Sequence, residues 1–166
     1  MRAAVAYDDI SRAIAIRLKH GRKVALARMM ARYMAPLVGE AGEDRIFVPV
    51  PLHRRRLWRR GFNQSAIVAR ELSRRLHVPL ALDALKRVKS TPPLKGLNML
   101  QRRRTVSGAF RVNPNARVQG RVVILVDDVL TTGSTADACA RALKRAGAAR
   151  VELVSWARVI RPAQIV

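Results

Sequence analysis

Ile10, Ile14 and Leu18 recur at the spacing that stacks side chains on one face of a helix, and they predict a helix over residues 8–20. Asp8 or Asp9 supplies its cap and Gly21 its end. Val24, Ala27, Met30, Ala31 and Met34 mark one side of a second helix over 22–35, which Pro36 and Gly39 break. The pattern then changes period. RIFVPVP, Arg45 to Pro51, predicts a short buried strand stopped by prolines, and a polar loop, LHRRRLWRRGFN, follows it. From Gln64 to Leu76 the helical spacing returns with Val68, Leu72 and Leu76. VPLALDALKRV is a strand candidate, GAFRV a strand edge, and NPNARVQG a turn. RVVILV is a continuous apolar run, as expected for a parallel strand covered on both faces. TADACARALKRAG predicts a helix ended by Gly147 at C′, and RVELVSWARV a closing strand.

Strands that alternate with helices predict an α/β fold with a mainly parallel sheet flanked by helices. The two leading helices stand outside that alternation. The expected organisation is a helical appendage over 1–44, able to serve as a hood, followed by an α/β domain over 45–166. Residues Lys89 to Gly108 interrupt the pattern with Pro92, Pro93 and Gly96. They hold one short helix from Asn98, where Gln101 sits at the capping-box position.

Composition narrows the class. The chain has 166 residues, enough for one domain with a single core, and a hydrophobic content of 49%, which excludes a disordered chain. With only 4% aromatics the core is expected to be aliphatic. One cysteine, Cys139, leaves no disulfide framework and no cysteine-built zinc site, and its place in a helix suits a small packing residue. Asp8, Asp9, Arg12 and Arg17 interrupt the start of the chain, so neither a secretory signal nor a membrane span is expected, and a cytoplasmic protein is. The formal charge of +22 attracts polyanions: phosphorylated small molecules, nucleic acid or membrane surfaces.

Against that charge, Asp127 and Asp128 stand out at the carboxyl end of the most apolar strand, where open α/β sheets bind ligands. Unpaired carboxylates there are costly core residues, but they suit sugar hydroxyls or a metal brought in by a substrate. Thr131, Thr132, Gly133, Ser134 and Thr135 follow and lead into a helix. Gly133 permits positive φ or close backbone approach. The first N–H groups of the helix and its dipole favour an anion, and the hydroxyls add donors. Ser134 and Asp137 have capping-box spacing, the purely structural alternative. Together the carboxylate pair and the turn suit a ribose 5-phosphate.

VVILVDDVLTTGST, Val122 to Thr135, resembles the phosphoribosyl pyrophosphate (PRPP) signature of type I phosphoribosyltransferases and matches it throughout. The resemblance implies that fold, assigns Asp127 and Asp128 to the ribose hydroxyls, and assigns Thr131 to Thr135 to the 5-phosphate. It also implies Mg²⁺ carried by the substrate near the two aspartates rather than held by protein alone. PVPLHRRRLWRRGFNQS, RVKSTPPLKGLNMLQRRRTVSGAF and the leading YDDISRAIAIRLKHGRKVALARMMARYM are similar to segments of the competence-associated ComF family. The four-cysteine zinc module with which many members begin is not in this sequence. Leu94 and Thr105 stand where that pattern would have Gln and Asn.

The resemblance places a pyrophosphate loop at Leu52, His53, Arg54 and Arg55, and forked arginine donors suit phosphate oxygens. Asn63 is placed to cap the next helix. Trp58 and Phe62 are expected to pack the loop rather than stack on a base. The segment 89–108 is expected either to close over PRPP or to remain a basic surface loop. In the first case Lys89, Lys95, Arg102, Arg103 and Arg104 neutralise the leaving pyrophosphate, with Lys89 and Arg104 as the catalytic candidates. His53 and His77 have no metal-ligand spacing.

Two functions follow as alternatives. One is transfer of phosphoribosyl to an unidentified acceptor, such as a nucleobase or nucleotide, with release of pyrophosphate. The other is non-catalytic binding of PRPP, a nucleotide or single-stranded DNA in DNA uptake. Tyr7 and Tyr33 are the stacking candidates within 1–44, and the apolar helical face there is a candidate surface for a homodimer.

Overall fold

The structure is a computed structural model, and it describes residues 1–21, 24–39, 42, 44–90 and 98–160. Four parallel strands, β1 (Arg2–Ala6), β2 (Arg45–Pro49), β5 (Val122–Leu130) and β6 (Arg150–Arg158), form one sheet in the order β1-β6-β5-β2. The described residues also form the α-helices α1 (Asp9–Gly21), α2 (Val24–Met34), α3 (Arg54–Arg60), α4 (Gln64–Leu76), α5 (Met99–Val106) and α6 (Ser134–Arg145). A small antiparallel pair, β3 (Leu85–Arg87) and β4 (Phe110–Val112), stands beside them.

Alternation along β5 explains the layers. Val123 and Leu125 enter one cluster with Val48, Val106, Cys139 and Leu143. Ile124 and Val126 enter the other with Leu18, Met30, Met34, Phe47, Val68 and Leu72. A strand with helices on both sides has no polar face, hence the unbroken apolar run in the sequence. Cys139 is fully buried as a packing residue, and burial pushes its thiol well above its usual range.

Several elements differ from the sequence reading. Residues 2–6 form a strand, β1, because Ala3, Ala4 and Val5 lie along β6; the short RAAVA run carries no clear period of its own. The second cluster joins residues of α1 and α2 to β2, α4, β5 and β6, so among the described residues one core spans both segments. The first segment is part of the sheet and its core rather than a purely helical appendage. The arginine loop after β2 contains a helix, α3, opened by the His53 side chain, which accepts from the Arg55 N–H, and closed by Gly61 at φ 76°. Of VPLALDALKRV only β3 is a strand; Leu80 makes a single parallel bridge to Phe47 upstream of it. The Asn98–Gln101 capping box at α5 forms as read, while Pro92, Pro93, Leu94, Lys95 and Gly96 lie outside the described residues. Among the described residues no helix is long and apolar enough to cross a membrane.

Candidate phosphoribosyl site

β5 does not stop before the aspartates. It runs through them to Leu130, because β6 keeps pairing on one side, with Asp127 opposite Ser155 and Val129 opposite Ala157. On the other side β2 ends at Pro49, opposite Val126, and the chain turns away after the Val50 N–H bonds the Val126 carbonyl. The two carboxylates therefore emerge where a neighbouring strand has left, at the carboxyl edge of the sheet.

The start of α4 meets them there. Asn63 caps α4, accepting from the Ser65 N–H while its amide donates to the Val50 carbonyl at 3.0 Å, which ties the helix to the end of β2. The next two side chains reach one aspartate each. Ser65 Oγ donates to Asp127 Oδ1 at 3.3 Å, and Gln64 Nε2 donates to Asp128 Oδ2 at 3.0 Å. Asp127 Oδ1 also accepts from the Asp128 N–H, and Asp128 Oδ1 from the Val129 N–H, both at 2.9 Å. Lys19 of α1 places Nζ 3.0 Å from Asp128 Oδ2. On the far side of Gln64, Arg60 donates to Oε1 at 2.9 Å, so the arginine helix joins the same network.

The two carboxyls titrate in opposite directions. Burial, and then the Asp128 charge, pushes Asp127 well above the usual carboxylate range. Burial opposes ionisation of Asp128 too, but Lys19, Gln64 and the Val129 N–H outweigh it and its pKa falls. The pair thus offers one firmly ionised acceptor beside one that holds its proton more readily.

Beyond β5, Gly133 is the N-cap of α6 at φ 75°, a backbone state that L side chains adopt only with strain. The capping box read from Ser134 and Asp137 does not form. The N-cap is Gly133, which has no side chain to offer, and Ser134 is already the first residue of α6; Asp137 pairs with Arg141 one turn on. The Thr132 and Ser134 hydroxyls lie 3.1 Å apart at the turn. Thr131 is exposed, and Thr132 and Thr135 are half-buried. A helix start with no side-chain cap, rimmed by hydroxyls, has the donors an anion requires.

The other expected residues are more dispersed. Leu52 and His53 are half-buried at the start of α3, and Arg54 and Arg55 are exposed in its first turn. Lys89 donates to the Ser107 carbonyl at 3.2 Å, and Arg104 lies exposed on α5, so both sit in the 89–108 segment rather than in the carboxylate network. Trp58 does not pack the loop; it is 90% exposed. Phe62, by contrast, lines a cavity of about 1200 Å³ with Leu52, Arg54 and Leu85. Asp127, Asp128 and the 131–135 turn do not line that cavity. Tyr33 packs edge-on against Trp156, with ring centroids 6.1 Å apart.

Sequence reading missed Lys19, Gln64 and Ser65. The last two were detectable, since they directly follow a cap residue at the carboxyl edge. Lys19 was not, because its meeting with Asp128 depends on how α1 lies against the sheet.

A family model for the phosphoribosyl transferase domain matches residues 63–163. The chain belongs to that family. A DNA utilization protein of Escherichia coli O157:H7 is 39% identical over 150 residues, covering 86% of this chain. Competence protein F of Haemophilus influenzae is 40% identical over 113 residues, covering 67% of this chain. These relatives place the chain within the ComF group. It spans 65% of the length of the first and 49% of the second.

Among solved structures, an adenine phosphoribosyltransferase of Thermoanaerobacter pseudethanolicus aligns with a TM-score of 0.52 at 14% identity, covering 82% of each chain. A hypoxanthine phosphoribosyltransferase of Staphylococcus aureus aligns with a TM-score of 0.52 at 13% identity, over 82% of this chain and 73% of that one. Both show the type I phosphoribosyltransferase fold.

Proposed function

We propose that the protein binds PRPP at the β5–α6 edge and transfers its phosphoribosyl group to an acceptor, releasing pyrophosphate. The observation that carries this reading is the joining of two opposite sites in one turn of chain. An ionised, donor-held Asp128 lies just before a helix start without a side-chain cap. The ribose 2′- and 3′-hydroxyls donate to Asp127 and Asp128. The 5-phosphate accepts from the first N–H groups of α6 and from the Thr131, Thr132, Ser134 and Thr135 hydroxyls. The Leu52–Arg55 segment faces the diphosphate, where arginine forks match the oxygens.

Among the described residues no cluster of three or more His, Cys, Asp or Glu side chains is placed to hold a metal ion. The two aspartates alone fit an ion that arrives on the substrate. Mg²⁺ so carried would neutralise charge on the departing diphosphate. The chain's own part is to fix the sugar at both ends and surround the diphosphate with cations, as electrostatic catalysis requires. The C1–oxygen bond breaks with its electron pair leaving on the diphosphate, and a nitrogen of the acceptor forms the new bond to C1.

Calorimetry with PRPP and Mg²⁺ tests the binding step, and pyrophosphate release across a panel of nucleobases tests transfer. Saturable one-site binding with release for at least one base is the expected result. Heat-silent titration would sink the reading, and binding without release would leave the protein a PRPP binder only.

A second reading is favoured by Trp58, which stands exposed among Arg54, Arg55, Arg56, Arg59 and Arg60 on α3. An aromatic face among arginines is a stacking platform for single-stranded nucleic acid. It accords with relatives called DNA utilization and competence proteins. Trp156 is buried and Trp58 is not, so Trp58 is the fluorophore that a bound strand can reach. A thymine oligonucleotide should quench it, with affinity falling steeply as salt rises. Unquenched fluorescence or a flat salt response would remove the nucleic-acid reading.

A further inference from the structure

Asp128 already has neutral hydrogen-bond partners on both oxygens, the Val129 N–H on Oδ1 and the Gln64 amide on Oδ2. Lys19 is therefore not needed to satisfy it. What the lysine adds is charge, delivered to a side chain only 10% exposed. Nor does the placement serve solubility, in a chain with 33 lysines and arginines against 11 acids.

The position on α1 is specific. Ala15 and Leu18 are buried against the sheet side, and Lys19 follows at the margin of that stripe, itself 28% exposed. Its head reaches Asp128 at the carboxyl edge. There the ammonium meets the same oxygen as Gln64, whose other end is held by Arg60. The network Lys19–Asp128–Gln64–Arg60 spans from the N-terminal segment to the arginine helix.

We propose that Lys19 is a positioning residue of the phosphoribosyl site. Its ammonium fixes Asp128 as the acceptor for a ribose hydroxyl and supplies part of the positive charge that a diphosphate-bearing sugar requires. The inference rests on the PRPP reading of the same edge and extends the site into residues 1–44. It has a specific consequence. A protein-held cation and a substrate-borne cation relieve the same repulsion between Asp128 and the polyanion, so loss of one makes binding depend more on the other.

The experiment is calorimetry of PRPP, with Mg²⁺ and with chelator, on the full chain and on Lys19→Met, Lys19→Gln and Lys19→Arg. Removing one charge at a partly buried pair predicts that Lys19→Met and Lys19→Gln lose roughly tenfold in affinity without metal. They should lose clearly less with Mg²⁺, and Lys19→Arg should recover most of the loss. Thermal midpoints near that of the unaltered protein show that α1 stays in place; should Met disturb it, Gln against Arg carries the same comparison. Equal losses with and without metal would mean a purely structural pair and overturn the proposal, as would a failure of Arg to rescue. If the unaltered chain binds PRPP and Lys19→Met binds it equally well, the Lys19 assignment alone falls. If the unaltered chain binds none, both readings fall.

Discussion

Asp128→Asn should weaken PRPP binding by roughly 100-fold, the scale of a lost charge-assisted hydrogen bond in a buried setting. The change keeps the shape of the side chain and removes its charge. Asn also turns a donor toward Oδ2's former partners, Gln64 Nε2 and Lys19 Nζ, so one orientation sets donors against donors and the other sets an NH₂ against the Val129 N–H. Either orientation leaves a single uncharged carbonyl oxygen as acceptor where the carboxylate offered two. Asp127→Asn should cost distinctly less. Burial and the neighbouring charge already favour the protonated form of Asp127, so a neutral amide departs less from its state. Lys19, being partly exposed, can swing to solvent in Asp128→Asn, and the fold should survive. Calorimetry of the two variants side by side checks the order. An equal loss, or a larger one for Asp127→Asn, would contradict the division of roles between the two carboxylates.

Phe47→Ala should be the most destabilising single truncation in the sheet. Phe47 is completely buried in β2, within the cluster that holds α1, α2 and α4 on one face. Its backbone also carries the Leu80 connection, donating to the Pro79 carbonyl and accepting from the Ala81 N–H. Emptying a phenylalanine site of this kind costs about 3–5 kcal/mol, a large part of the 5–15 kcal/mol of a typical domain. The melting midpoint should fall by roughly 6–20 °C. One cooperative transition should move as a whole, because the residues of the N-terminal helices share that cluster. Two transitions, of which only one shifts, would show that 1–44 and 45–166 fold as separate units. Leu100→Ala, exposed on α5, is the matched control and should change stability within about 0.5 kcal/mol.

The sequence carried the elements whose signal is local. The helix α4 was bounded correctly from Val68, Leu72 and Leu76, and the α5 capping box from Asn98 and Gln101. The carboxylates and the turn stand together in the sequence because they occupy neighbouring positions in one strand–loop–helix unit. What escaped depends on contacts far apart in the chain. β1 is strand-forming only because β6 lies beside it, and the N-terminal segment joins the core only through α1 and α2 packing on the sheet. Lys19 reaches Asp128 across more than half the sequence. The α3 helix escaped for another reason: with no apolar period, its arginines read as loop, and its ends are set by the His53 and Gly61 caps.

The position of β1 has a consequence for how the molecule keeps apart from its neighbours. β6 carries Leu153, Val154, Ser155, Trp156 and Ala157, almost wholly buried and apolar except for Ser155, and β1 covers the side of it that β5 leaves open. Without that strand, a long row of unpaired backbone N–H and C=O groups flanked by apolar side chains would lie at the margin of the sheet, a ready template for cross-molecular β-pairing. The short, weakly patterned RAAVA segment is thus a guard strand: it closes the edge with small side chains and brings Arg2, next to Glu152, to the new margin, where a charge discourages further strand addition.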